Sequence, residues 1–141
     1  VQWPGRLEVI SGQPLIILDG AHNPHAVAPL VTTMKERYGQ LDKQVLFTCI
    51  QTKAIEEMLE LWSGLEKSQL TLTTFEDSRA YSVRDMQEIA HQKGLPYQEW
   101  KVFLTQYLER KLQQSDLLLV TGSLYFLAQV RAFLIEEISR R

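Results

Sequence analysis

The chain has 141 residues, 45% of them hydrophobic and 23% charged, which is the size and composition of one folded domain and excludes a disordered segment. Fifteen Lys and Arg against seventeen Asp and Glu give a formal net charge of -2, spread along the length, which excludes the basic surface that nucleic acid requires. A single cysteine, Cys49, excludes an internal disulfide, and no stretch approaches the roughly 20 apolar residues of a membrane helix.

These properties predict one cytoplasmic domain over residues 1–141, with neither membrane nor nucleic acid among its partners; a monomer is the accompanying expectation. The chain opens on Val1, and its Val-Gln-Trp-Pro-Gly start reads as a connector. The expectation is therefore a domain of a longer protein.

Residues 6–10 alternate as a strand, the Ser11-Gly12-Gln13-Pro14 break turns the chain, and the apolar residues 15–18 form a second strand paired antiparallel to the first. Asp19-Gly20-Ala21-His22-Asn23-Pro24 then makes a polar loop, in which Asn23 can cap and Pro24 open a helix reaching about Tyr38. A buried strand over residues 44–49 precedes a helix over residues 54–66, where Ile55, Met58, Leu59, Trp62 and Leu65 recur at helical spacing.

A strand over residues 70–74 follows, then a helix begun by Ser82 and Asp85 and stopped near Gly94. Residues 97–100 read as a short strand and residues 102–113 as a helix. The continuous apolar run 117–120 reads as a strand buried on both faces, and Gly122-Ser123 opens a last helix to about Ile138. Strands alternating with helices imply an α/β fold: a Rossmann-like, mostly parallel sheet of about six strands, flanked by helices, with an antiparallel N-terminal strand.

Ligands of such sheets bind beyond the carboxyl ends of the strands. The loop of residues 19–25 gathers a carboxylate, an imidazole and an amide beside a helix N-terminus, a setting that suits a phosphate-bearing ligand. Asp19 and Asn23 are equally accounted for as turn and cap residues, His25 as a helix-surface residue, and His22 as a structural histidine. Thr121-Gly122-Ser123 offers a hydroxyl and free N–H groups to an anion, or a plain N-cap.

Arg6 can pair bidentately with a phosphate or stand as an edge charge, and Lys53 can serve an anion or remain a solvated lysine. Asp77-Ser78-Arg79 belongs to the same rim only weakly. Leu59, Trp62, Trp100 and Phe103 read as core, and His91 as a partner of its helix C-terminus. The sequence contains no Gly-x-x-x-x-Gly-Lys-Ser/Thr string, so it lacks the phosphate cradle of a P-loop, and it has neither Cys-x-x-Cys nor His-Glu-x-x-His metal spacing.

Three blocks, Trp3-Pro4-Gly5-Arg6-Leu7-Glu8, Leu18-Asp19-Gly20-Ala21-His22-Asn23-Pro24-His25 and Val120-Thr121-Gly122-Ser123-Leu124-Tyr125, occur in an order and spacing that resemble the C-terminal domain of the folylpolyglutamate synthase and dihydrofolate synthase family, itself related to that of the Mur peptide ligases. The resemblance implies an ATP-dependent, amide-forming ligase that adds L-glutamate to folate or dihydropteroate through an acyl phosphate. It also implies that the P-loop and the Mg2+ ligands lie in an N-terminal domain of the same polypeptide, and that this chain is inactive alone.

By that resemblance Asp19 and His22 are catalytic, Arg6 and Asp19 contact the nucleotide, and His22, Ser123 and Lys53 contact glutamate. Residues 49–54, Cys-Ile-Gln-Thr-Lys-Ala, depart from a more acidic family stretch, and Lys53 falls at the position of a family lysine. A Mur-type peptide ligase domain and a non-catalytic nucleotide- or anion-binding module are the competing readings.

Overall fold

A computed structural model of the chain describes residues 6–12, 14–110 and 115–141. The Trp3-Pro4-Gly5 part of the first motif, Gln13 of the first turn and the expected end of the 102–113 helix lie outside these residues. Strand β1 (Glu8–Gly12) pairs antiparallel with β2 (Leu15–Asp19), with a register shift between Val9 and Ser11. The chain continues through helix α1 (Pro24–Tyr38), β3 (Lys43–Phe47), α2 (Ile55–Ser63), β4 (Ser68–Leu72), α3 (Val83–Lys93), α4 (Trp100–Leu108), β5 (Leu117–Thr121) and α5 (Leu124–Ser139).

The sheet runs in the order β1-β2-β5-β3-β4, and β5 lies parallel between β2 and β3. Apolar runs form its centre because both faces are covered. Odd-numbered Ile17, Val45, Phe47 and Leu119 pack with Val27 and Met34 of α1, Met58 and Trp62 of α2 and Met86 of α3. Even-numbered Ile16, Leu18, Leu46, Leu118 and Val120 pack on the opposite face with Trp100 and Phe103 of α4 and Phe126 and Leu134 of α5. Each such side chain contributes about 1.5–3 kcal/mol by leaving water, so the two layers fix which helix lies on which face.

The α/β class and the antiparallel first strand stand as expected, with one correction in strand number. The sheet has five strands among the described residues; the sixth, expected at residues 97–100, is a single bridge between Tyr97 and Leu72. Leu72 donates its N–H to the Pro96 carbonyl, and Gln98 donates to the Leu72 carbonyl. Trp100 already opens α4, capped by the Glu99 carboxylate, so the segment has no length left to be a strand. No described helix is long and apolar enough to cross a membrane.

Candidate functional site

Where two neighbouring parallel strands send their helices to opposite faces of a sheet, the loops part and leave a crevice. In this fold those strands are β2, which leads to α1, and β5, which leads to α5. Asp19 stands in register with Thr121, and Gly122 donates its N–H to the Asp19 carbonyl over 3.3 Å. The Asp19 loop and the Ser123 turn therefore occupy one edge of the sheet.

Asp19 is half-buried and its carboxylate is fully engaged. Oδ2 accepts from the Leu7 N–H and Oδ1 from the Ala21 N–H, both at 3.0 Å. Burial raises its pKa above the ordinary carboxylate value, against the opposing pull of those two N–H donors and of the Arg6 charge. Asp19 thus ties β1 to the loop that leaves β2, and it places Arg6 at the mouth of that loop.

His22 is exposed, and its Nδ1 lies 2.8 Å from the Gly20 carbonyl. A carbonyl only accepts, so Nδ1 is the donor in this contact, and Nε2 is left for a ligand. The Asn23 side chain is spent on the helix, accepting from Ala26 N–H over 2.9 Å, and Pro24 occupies the first turn, where a missing N–H costs nothing. The start of α1, with Asn23, His25 and Ala26, lines the same mouth.

An open cleft of about 980 Å³ lies here, lined by Arg6, Asp19, His22, His25, Thr33 and Leu124 among others. That volume matches ligand sites of nucleotide size. His25, a helix-surface residue by sequence, and Thr33, which no motif marks, both line it. The spacing of residues 25, 29 and 33 puts them on one helix face, the signal that would have found them.

Ser123 is buried and caps α5, its Oγ accepting from the Tyr125 N–H at 3.2 Å. The cap reading is therefore realised, beside the cleft that its neighbour Leu124 lines. The Thr121 hydroxyl next to it is buried and has no hydrogen-bond partner among the described residues. Gly122, at φ 138°, passes so close to the Thr48 carbonyl that a Cβ would lie 1.8 Å from that oxygen. Only glycine permits this approach, and through it α5 starts against the end of β3.

Lys53 is exposed on the loop between β3 and α2, across β5 from Asp19, and does not line the cleft. Asp77 and Arg79 lie at the far side of the same rim, where the Arg79 guanidinium covers the Tyr125 ring. Among the described residues, no cluster of three or more His, Cys, Asp or Glu could hold a metal.

A family model described as "Mur ligase, glutamate ligase domain" matches residues 5–124. The chain belongs to this family. Members of the glutamate ligase domain family similar to it include the dihydrofolate synthase/folylpolyglutamate synthase of Bacillus subtilis, 30% identical over 129 residues that cover 92% of this chain and 30% of that protein. The crystal structure of a bifunctional folylpolyglutamate synthase/dihydrofolate synthase from Yersinia pestis, complexed with AMPPNP and Mn ion, superposes with a TM-score of 0.71 at 27% identity, over 94% of this chain and 32% of that one.

A structure of a bifunctional folylpolyglutamate synthase/dihydrofolate synthase with Mn, AMPPNP and L-glutamate bound gives a TM-score of 0.75 at 26% identity, over 94% and 32% of the two chains. This chain therefore spans about a third of the length of these relatives.

Proposed function

We propose that this chain is the nucleotide- and glutamate-binding domain of an ATP-dependent ligase that adds L-glutamate to folate, to dihydropteroate or to both. The observation that carries the reading is the junction of β2 and β5, where Asp19, the exposed His22 and the starts of α1 and α5 converge on one cleft. Relatives bearing that activity match nearly the whole chain, and one of them binds an ATP analogue, manganese and glutamate together.

In this reading the folate carboxylate attacks the γ-phosphorus of ATP, forming an acyl phosphate and releasing ADP. The amine of glutamate then attacks the acyl carbon, phosphate leaves with the C–O bond electrons, and the amine loses a proton as the amide forms. These steps call for alignment and charge neutralisation, which fixed donors and cations supply without a covalent intermediate on the protein.

Arg6 neutralises nucleotide phosphates, Asp19 holds the loop and faces the nucleotide, and His22 and Ser123 hold glutamate at the reacting centre. Lys53 reaches glutamate only from the outer rim. Mg2+, when bound, draws charge from the phosphates. With neither a P-loop nor a described metal cluster in this chain, the phosphate cradle and metal ligands fall to another domain of a longer cytoplasmic, monomeric polypeptide. Closure of the two would exclude the water that hydrolyses an acyl phosphate.

The test uses the product of the complete reading frame, supplied with ATP, Mg2+, glutamate and either tetrahydrofolate or dihydropteroate. ADP should appear in step with glutamate incorporated, and only when a pterin substrate is present. ADP release that responds to a muramyl peptide substrate and ignores pterins would refute the folate assignment.

A further inference from the structure

Arg79 is built into the rim more firmly than a solvated loop arginine. Its Nε and Nη2 donate to the two carboxylate oxygens of Asp77, each at 2.9 Å, and its own backbone N–H donates to Asp77 Oδ1 at 2.9 Å. Its guanidinium carbon stands 4.1 Å from the centroid of the Tyr125 ring, in the first turn of α5.

The loop that carries Arg79 is pinned on both sides. On one, Gln51 donates its N–H to the Arg79 carbonyl, Gln51 Nε2 donates to the Ala80 carbonyl, and the Tyr81 hydroxyl donates to the Thr52 carbonyl. On the other, Gln129 of α5 donates Nε2 to the Glu76 carbonyl at 3.0 Å. The cation is thus held between the exit of β3 and the start of α5.

A guanidinium offers two edges for bidentate pairing with a carboxylate. Asp77 takes the edge formed by Nε and Nη2. Beyond Asp77 the guanidinium hydrogen-bonds the Tyr125 side chain; its Nη1–Nη2 edge has no carboxylate partner among the described residues, and the side chain is 48% exposed. As a stabilising contact, an exposed ion pair two residues apart contributes little. As a preorganised receptor it contributes much more, because its rotamer is fixed before a ligand arrives.

We infer that Arg79, held by Asp77 and Tyr125, receives the side-chain carboxylate of the incoming glutamate and so sets the preference for glutamate over neutral amino acids. The inference rests on the ligase reading above and adds a residue to it. The amine and its neighbouring carboxylate must reach the buried end of the crevice near Ser123 and Asp19. The far carboxylate then extends outward past Tyr125, two residues beyond Ser123, to the Arg79 edge that no carboxylate holds.

The experiment compares the complete enzyme with its Arg79→Ala and Arg79→Lys variants, using glutamate and its neutral isostere glutamine as competing amines. Arg79→Ala should raise KM for glutamate by on the order of tenfold or more, the scale of one lost charge-assisted hydrogen-bonding partner. KM for ATP should stay unchanged, and the glutamate-over-glutamine preference should fall in proportion. Arg79→Lys should recover part of the preference, since lysine restores charge without the planar fork.

A role limited to holding the loop predicts no change in the glutamate-to-glutamine ratio. That ratio within twofold of the unsubstituted enzyme, or equal losses toward ATP and glutamate, would overturn the inference while leaving the ligase reading intact. An unsubstituted enzyme without ATP-dependent glutamate addition would overturn both.

Discussion

Leu7 and Asp19 hold one another across the β1–β2 pair: the Leu7 N–H donates to Asp19 Oδ2 over 3.0 Å, from a residue whose φ of 46° lies in the left-handed region. A leucine in that region is strained, by of order 1–2 kcal/mol, and persists only where its surroundings fix it. The Asp19 acceptor, with the packing of Leu7 against the core, supplies that fixation. The same carboxylate that faces the cleft therefore also shapes the entry of the chain, where Arg6 stands.

Asp19→Ala should destabilise the domain by about 1–3 kcal/mol at pH 4, because the Leu7 and Ala21 N–H groups lose their acceptor at a half-buried site. Burial raises the carboxyl pKa, so the fold holds this proton more tightly than the unfolded chain does. The contribution of Asp19 to stability is thus largest at acid pH and falls as pH rises through the carboxylate range. Urea unfolding at pH 4 and pH 7 should show the gap between the two proteins narrowing; a gap that widens would contradict this account of Asp19.

Gly122→Ala should cost at least about 3 kcal/mol or prevent folding, since the new Cβ would meet the Thr48 carbonyl at 1.8 Å and φ is 138°. Gly12→Ala serves as the control, since among the described residues no atom beyond its chain neighbours lies within 4 Å of its Cβ position. Thermal unfolding of the two variants should separate them by more than about 10 °C. Equal melting temperatures would mean that the turn between β5 and α5 yields without cost.

Cys49 is fully buried, and burial pushes its thiol up to about 12. Since an unfolded cysteine ionises near 8.5, the thiol contributes stability that is complete below that pH and is lost as pH rises toward 12. At pH 8 the native chain should resist alkylation by iodoacetamide over hours and react promptly in 6 M urea, conditions read directly by mass spectrometry. Rapid labelling without denaturant would show that the thiol reaches solvent.

Much of the fold is legible locally. The Leu15–Asp19 run, the Asn23 cap and Pro24 specify a strand, a turn and a helix within ten residues, and the structure places them there. The Ser82 cap and the left-handed Gly94 bound α3 in the same way. Other features depend on partners distant in sequence. Nothing near Leu117 says that β5 inserts between β2 and β3, because that choice is made by packing across the whole sheet.

Tyr97 alternates like a strand residue, yet the Glu99 cap hands the chain to α4 first. In the site, the Asp-Gly-Ala-His-Asn-Pro string announced the cleft, whereas the bond from Leu7 to Asp19 and the contact of Gly122 with Thr48 join residues that no spacing connects. Arg79 looked like an ordinary loop charge because its partner Tyr125 lies 46 residues away.

The most direct test of the cleft between β2 and β5 is the kcat/KM for ATP-dependent glutamate addition by the complete enzyme, measured for Asp19→Ala, His22→Ala and the distal control His91→Ala. The account predicts losses of on the order of 100-fold or more for the first two, the scale of one electrostatic or proton-handling group, with the control unchanged and all three still folded. Turnover within twofold of the unsubstituted enzyme for both Asp19→Ala and His22→Ala would contradict it.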